Sequence, residues 1–298
     1  MSSMPIVPSP RRRRPGRFAA AAALVAAASV HAACLPDADV VRMFDAYNLR
    51  QPFPNPAPMS VADAECTREK LDRMLELQLG PVVGYKAGLT NPAVQKRFRH
   101  DAPVWGTLHA PMLLPDRATV DAAFGARPLF EADLLVRVAD ASIGRARTPG
   151  EVLAAIDQVI PFIELPDLVV QAPGQLDGAG VIAINVGARL GIVGTALPVP
   201  ATRGERYALL DALREMVVVV RAGGAEIDRG RGQDVLEHPL NAVVWLVQDL
   251  ERHGRKLVPG DLVSLGSFSK LLPPKPGMAV EVQYYGLPGD PKVGVGFR

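Results

Sequence analysis

Leu129-Phe-Glu-Ala-Asp-Leu-Leu-Val136 is the stretch whose residue types point most directly to chemistry. As a strand it sends Glu131 and Asp133 to one face and Phe130, Ala132 and Leu134 to the other. Two carboxylates side by side on a half-buried strand repel each other and lose hydration, which is costly unless protons or a cation compensate. Glu164 is a third acid, inside the equally apolar Ile160-Pro-Phe-Ile-Glu-Leu165. Three oxygen donors with no Cys or His nearby suit Mg²⁺ or Mn²⁺. Two acids at i, i+2 are also what a solvated strand face carries, so the pattern alone leaves both readings open.

Two further residues are candidates for catalysis. Gly84-Tyr-Lys-Ala-Gly-Leu-Thr90 sets Lys86 on a strand between glycines, where a cation can approach a ligand closely. The plainer reading is a surface lysine. Gly232-Gln-Asp-Val-Leu-Glu-His-Pro-Leu-Asn-Ala-Val-Val-Trp245 puts a His-Pro pair at the mouth of an apolar helix. His238 is there either a group assisting the site or a hydrogen-bonded cap.

The elements that must position these side chains follow from periodicity. Ala38 to Ala46 and Val61 to Leu79 read as helices, the second with Leu71, Met74, Leu75 and Leu77 as its apolar positions. Proline-rich Gln51 to Met59 between them is a loop. Val82 to Ala87 is a strand entering a Gly88-Leu89-Thr90 turn, and Asn91-Pro92 starts a brief helix through Phe98. Strands are expected at Leu129 to Val138, Pro161 to Leu165, Val181 to Val186 and Met216 to Arg221. Others follow at Asp261 to Leu265, Ala279 to Tyr285 and Val293 to Phe297. Helices are expected at Pro149 to Val159 and at Pro239 to Arg252, the latter ending at Gly254. The sum is a largely β, mixed domain.

Composition bounds the class. The chain has 298 residues, enough for one large or two modest domains, and 48 % are apolar, enough for a sizeable core. The net charge of +2 gives no case for a nucleic-acid partner. The short basic cluster Arg97, Arg99 and His100 reads as a solvated face. Arg11 to Arg14, Arg17 and the apolar run Phe18 to Val30 read as a signal peptide over residues 1–32, with Val30-His31-Ala32 as its cleavage site. That run falls short of the roughly 20 residues a membrane span needs, so no membrane association is expected after its removal. A periplasmic location follows, the alternative being a cytoplasmic chain with a misassigned start. Cys34 and Cys66 could then oxidise, or remain two unrelated thiols. No cysteine–histidine spacing points to zinc.

In order and spacing, Gly84 to Thr90, Glu131 to Asp133, Glu164 and His238 to Trp245 resemble the 2-keto-4-pentenoate hydratase branch of the fumarylacetoacetate hydrolase superfamily. The resemblance runs from about Ser60 to the end, with weaker support from Gly106-Thr-Leu108 and Pro259-Gly-Asp261. It implies an α+β fold: a mixed β-roll with flanking helices over residues 126–298 and a smaller helical part over 33–125. It also implies a homo-oligomer. In that family the acids matching Glu131, Asp133 and Glu164 hold Mg²⁺ or Mn²⁺, and the lysine matching Lys86 lies in the active site. The implied partner is a small 2-oxo or 2-hydroxydienoic acid, and the implied reaction is hydration by a hydro-lyase. A 2-oxo acid decarboxylase, a C–C hydrolase or a non-catalytic exported binding protein would carry the same residues.

Several positions depart from the family pattern. Asp133 replaces the usual Glu, one methylene longer. Asp167-Leu168 stand where Ser-Arg is common, with Arg189 as a substitute cation from a neighbouring strand. Ile184-Asn185-Val186-Gly187 replaces Asp-Asn-x-Ser, Asp63-Ala64-Glu65 replaces Asp-Ala-Tyr, and Gly277-Met278 replaces Gly-Asp. The expected metal ligands survive better than the substrate-facing residues.

Overall fold

The computed structural model describes Met1 and residues 34–298. The export segment expected over residues 1–32 lies outside the described residues apart from Met1. Two helices open the described chain, α1 (Asp37–Leu49) and α2 (Val61–Leu79). Asp37 and Asp39 favour the positive end of α1. Ser60 caps α2 by accepting from the Asp63 N–H at 3.1 Å. The buried stripe of α2 includes Ala64, Leu71 and Leu75.

Cys34 and Cys66 are joined as a disulfide, with Cα atoms 5.5 Å apart and a separation of 32 positions in sequence. It ties the segment before α1 to α2. Closing such a loop stabilises by ~3–4 kcal/mol through the entropy of the unfolded chain. Reduction is therefore expected to lower the unfolding free energy by that amount, and the denaturant midpoint with it, with activity retained while the protein stays folded. Equal midpoints with and without reductant would show that the bridge contributes nothing.

Then come β1 (Val82–Gly88), α3 (Pro92–Arg97), β2 (Val104–His109), β3 (Leu113–Pro115), β4 (Thr119–Val120) and β5 (Glu131–Val138). They are followed by α4 (Pro149–Ala155), β6 (Ile156–Leu165), α5 (Gly178–Ala183), β7 (Leu190–Val193) and β8 (Leu197–Pro198). The remainder is α6 (Arg203–Glu215), β9 (Val217–Ala222), β10 (Ala225–Arg231), α7 (Asn241–Arg252), β11 (Leu262–Ser264), β12 (Ala279–Tyr285) and β13 (Lys292–Phe297). The larger sheet runs β2-β1-β11-β5-β6-β7-β3, with β8 on β6, and the smaller runs β10-β9-β12-β13-β4. This is the α+β mixed roll with flanking helices that the sequence implies.

The main core lies between the two sheets and α7, where Ala132, Leu134 and Val136 of β5 meet Val218, Val280, Val282 and Leu246. Glu131 and Asp133 therefore occupy the opposite face of β5, as alternation requires. Residues 34–298 belong to one compact unit. β1 and β2 share the sheet of β5 and β6, so no separate body ends at residue 125.

Two expectations need correction. Val181 to Val186 is not a strand: Asp177 accepts from the Gly180 N–H at 2.8 Å and caps α5, whose buried face packs against α2. A short apolar run does not by itself separate strand from buried helix. The helix expected over Pro149 to Val159 stops at Ala155, and β-branched Ile156 begins β6.

Candidate active site

Strand register brings the acids together. Glu131 on β5 is the cross-strand partner of Glu164 on β6, and Asp133 follows two residues along on the same face. All three are buried. Tyr284 of β12 reinforces this pairing: its hydroxyl accepts from the Phe162 N–H at 3.2 Å, and its single proton is shared between the Asp133 and Phe162 carbonyls.

Lys86 arrives from β1, which pairs in parallel with β11. That approach needs Gly84, since a Cβ there would lie 2.1 Å from the Leu262 carbonyl oxygen. The ammonium is 3 % exposed, ion-paired with Glu164 and donating to the Val186 carbonyl at 2.8 Å. It is no surface lysine.

The Val186 carbonyl is held there by strained backbone. Asn185, Val186 and Gly187 all have positive φ, at 52°, 52° and 67°. A β-branched residue in that region costs on the order of 1–3 kcal/mol and persists where neighbours enforce it. Asn185 enforces it: its Oδ1 accepts from the Thr107 N–H at 2.7 Å and its Nδ2 donates to the Thr107 carbonyl at 3.2 Å.

Burial pushes the Glu131 carboxyl well above the usual carboxylate range, with the Glu164 charge adding to the effect and Lys86 opposing it. Burial likewise pushes Asp133 up to about 7, again reinforced by Glu164 and opposed by the Ser264 hydrogen bond. One ammonium faces three buried carboxyl groups, so their negative charge calls for protons or a cation.

Asp133 is drawn towards the end of β11. Its Oδ1 accepts from the N–H groups of Leu134, Leu265 and Gly266 at 2.6, 3.1 and 3.0 Å, and its Oδ2 accepts from the Ser264 hydroxyl. Gly266 has φ +104°, and a Cβ there would meet Thr90 Oγ1 at 2.1 Å, so only glycine brings that N–H to the carboxylate. With Asp133 turned to these donors and Glu164 to Lys86, the three acids do not bring one oxygen each within 4.8 Å of one another. Among the described residues the group that does so is Glu65, Asp249 and His253.

Lys86 and Glu131 line a cavity of about 350 Å³, together with apolar Leu89, Phe98 and Val186 and polar Ser267 and Arg97. Arg97 thus belongs to the cavity wall and not only to a solvated face. His238 does not reach this cavity. Its Nδ1 accepts from the Leu240 N–H at 3.1 Å, leaving Nε2 to donate to the Leu210 carbonyl at 3.2 Å. Burial pushes its pKa below the ordinary histidine value. The ring is a buried cap before α7, which corrects its reading as a group of the site. Arg189 does not reach the cavity either: it pairs with Asp167 at 3.4 Å and donates to the Phe124 and Tyr47 carbonyls.

Sequence reasoning passed over Ser264, Ser267 and Tyr284. Ser264-Leu-Gly-Ser267, with two hydroxyls flanking a glycine at a strand end, carried a usable signal. Tyr284 carried none, because its partners are more than a hundred residues away.

No family model matches the chain. It is 30 % identical over 230 residues to a 4-oxalocrotonate decarboxylase of Pseudomonas putida, covering 77 % of this chain and 83 % of that relative. It is 29 % identical over 240 residues to a 2-keto-4-pentenoate hydratase of Paraburkholderia xenovorans strain LB400, covering 80 % and 84 %. Among solved structures it is similar to 4-oxalocrotonate decarboxylase from Pseudomonas putida G7 complexed with magnesium and adipate. That match has a TM-score of 0.77 and 26 % identity, covering 89 % of this chain and all of the other.

Proposed function

As this chain belongs to the fumarylacetoacetate hydrolase superfamily, we propose that it is a divalent-metal-dependent hydro-lyase that adds water to a small 2-hydroxy-2,4-dienoic acid. The observation that carries the reading is the buried meeting of Glu131, Glu164 and Lys86, two of them on the wall of the cavity. A hydratase and a decarboxylase among the relatives, and magnesium in the solved decarboxylase, support the reaction class.

Glu131, Asp133 and Glu164 would hold the ion. Three buried carboxyl groups against one ammonium fit a dication by charge, and an all-oxygen donor set suits Mg²⁺ or Mn²⁺. When bound, such an ion supplies Lewis acidity to the C2 oxygen and carboxylate of a 2-oxo acid head. Among the described residues Lys86 is the cation fixed at both the acids and the cavity, so it serves the substrate carboxylate or the proton that must move. Leu89, Phe98 and Val186 pack the carbon chain and fix its orientation, which is what water addition to a conjugated bond requires.

Decarboxylation is the second reading, and Arg97 favours it. This guanidinium lines the cavity and pairs with no acid among the described residues, which leaves it for a second substrate carboxylate. Incubating 2-hydroxydienoic and 2-oxo acids with protein and Mg²⁺ separates the readings by product mass. Hydration yields metal-dependent loss of dienoate absorbance and a product heavier by one water. A product lighter by CO₂ replaces it with the decarboxylase, and no product from metal-replete folded protein with any acid favours a binding protein.

Export and homo-oligomeric assembly belong to the same proposal. The arginines and apolar run of residues 11–30 support export, and so does the Cys34–Cys66 bond, which persists in an oxidising compartment.

A further inference from the structure

A second constellation of metal-binding groups lies away from the substrate cavity. Asp249 on α7 and His253 at its C-terminal end are four residues apart and so share a helix face. Glu65 on α2 faces them, and one ligand atom from each residue lies within 4.8 Å of the others. His253 Nε2 is 3.3 Å from Glu65 Oε1 and 3.7 Å from Asp249 Oδ2. Both distances exceed an ordinary hydrogen bond of about 2.7–3.2 Å. They lie at and just beyond the edge of a tetrahedron around an ion with ligands at about 2.0–2.2 Å, which is roughly 3.3–3.6 Å.

The surroundings orient these groups. The Trp105 indole N–H donates to Asp249 Oδ2 at 2.6 Å, Arg252 pairs with Asp249 Oδ1, and the Trp105 ring meets the His253 ring edge-on at 5.7 Å. Fixing ligands in this way is what supporting groups do at metal sites. The three ligands line a separate cavity of about 350 Å³ that shares no lining residue with the substrate cavity.

Arg68 is the independent observation. It lines the same cavity and is 1 % exposed, yet its Nε and Nη2 have no hydrogen-bond partner among the described residues. Nη1 donates to the Trp105 carbonyl at 2.9 Å. The guanidinium stacks on the Trp105 ring at 3.4 Å and has Asp72 and Glu65 as neighbouring charges. Its Nε–Nη2 edge nonetheless stays unsatisfied, which is costly and leaves it able to donate to an acceptor in the cavity.

We propose that Glu65, Asp249 and His253 form a second cation site for a zinc-class transition ion, whose open position takes a small anion also held by Arg68. One imidazole with two carboxylates is the donor mixture such ions take, in contrast to the all-carboxylate group at Glu131. Three protein ligands leave a fourth position, and Arg68 supplies the charge that an anion there requires.

Co²⁺ added to full-length protein with saturating Mg²⁺ tests this through its ligand-field bands. Wild type is expected to take up one Co²⁺ per chain with tetrahedral-type absorption that shifts on titration with formate. His253→Gln and Glu65→Gln should each weaken Co²⁺ uptake beyond the ~10–100-fold cost of losing a group that merely supports a ligand, with Mg²⁺-dependent turnover unchanged. Glu131→Gln should keep the bands, and Arg68→Lys should keep Co²⁺ but lose the formate response. Absence of the bands in wild type, or equal uptake by the folded Glu65→Gln and His253→Gln proteins, would overturn the proposal and leave a histidine side chain lying between two acids.

Discussion

Glu131→Gln should abolish turnover and weaken Mg²⁺ or Mn²⁺ binding by roughly 10²–10⁴-fold, the range of ~3–5 kcal/mol for breaking a buried charge pair. Glu131 faces Glu164 across β5 and β6 and lines the cavity, so an amide there offers the ion one oxygen without its charge. The same change should leave the fold intact. Burial and the Glu164 charge already push the Glu131 carboxyl towards its neutral form, and a neutral amide relieves that cost. Thermal melts in chelator are therefore expected to place the variant at or above wild type, while added Mg²⁺ raises wild type only. Asp133→Glu should be tolerated, because it restores the longer acid without removing charge. Full activity and metal content in Glu131→Gln would show that the buried acids are not the ion's ligands.

Lys86→Ala should lower kcat by ~10²–10⁴-fold while metal content is retained. The ammonium is held between Glu164 and the Val186 carbonyl, and truncation leaves both acceptors without it. In chelator the variant is expected to lose ~3–5 kcal/mol of stability, since Glu164 stays buried without its partner. Metal should recover most of that loss by taking over the same carboxylate. Stability measured with and without Mg²⁺, beside single-turnover rates, separates these contributions. Loss of metal together with activity would make Lys86 a structural counter-ion. Unchanged kcat would remove it from the chemistry.

What could be read from the sequence was local. Alternation placed Glu131 and Asp133 on one face and Ala132 and Leu134 in the core before any pairing was visible. Cap and breaker residues set the bounds of α2 and α3. Facing of Glu131 by Glu164 is a register, and register depends on partners that periodicity does not name. Three of the four donors on Asp133 come from residues 264–266, across some 130 positions of chain, so no window could have shown that it turns towards β11. His238 failed for a different reason. A histidine before a proline at a helix mouth reads alike whether it caps backbone or faces a ligand, and here backbone takes both nitrogens. The left-handed backbone of Asn185 and Val186 was equally hidden, since valine is a residue that sequence rules keep out of that conformation.

The central claim is that the ion held by Glu131 and its neighbours is the ion that a 2-oxo acid chelates. Mn²⁺ bound to the protein relaxes water protons through the waters it retains, and a chelating substrate must displace some of them. In His253→Gln protein, which isolates the carboxylate site, a 2-oxo acid should lower this relaxation enhancement saturably. Adding Glu131→Gln should remove the effect. An enhancement that stays constant up to saturating acid, with Mn²⁺ bound and the protein folded, would contradict the account.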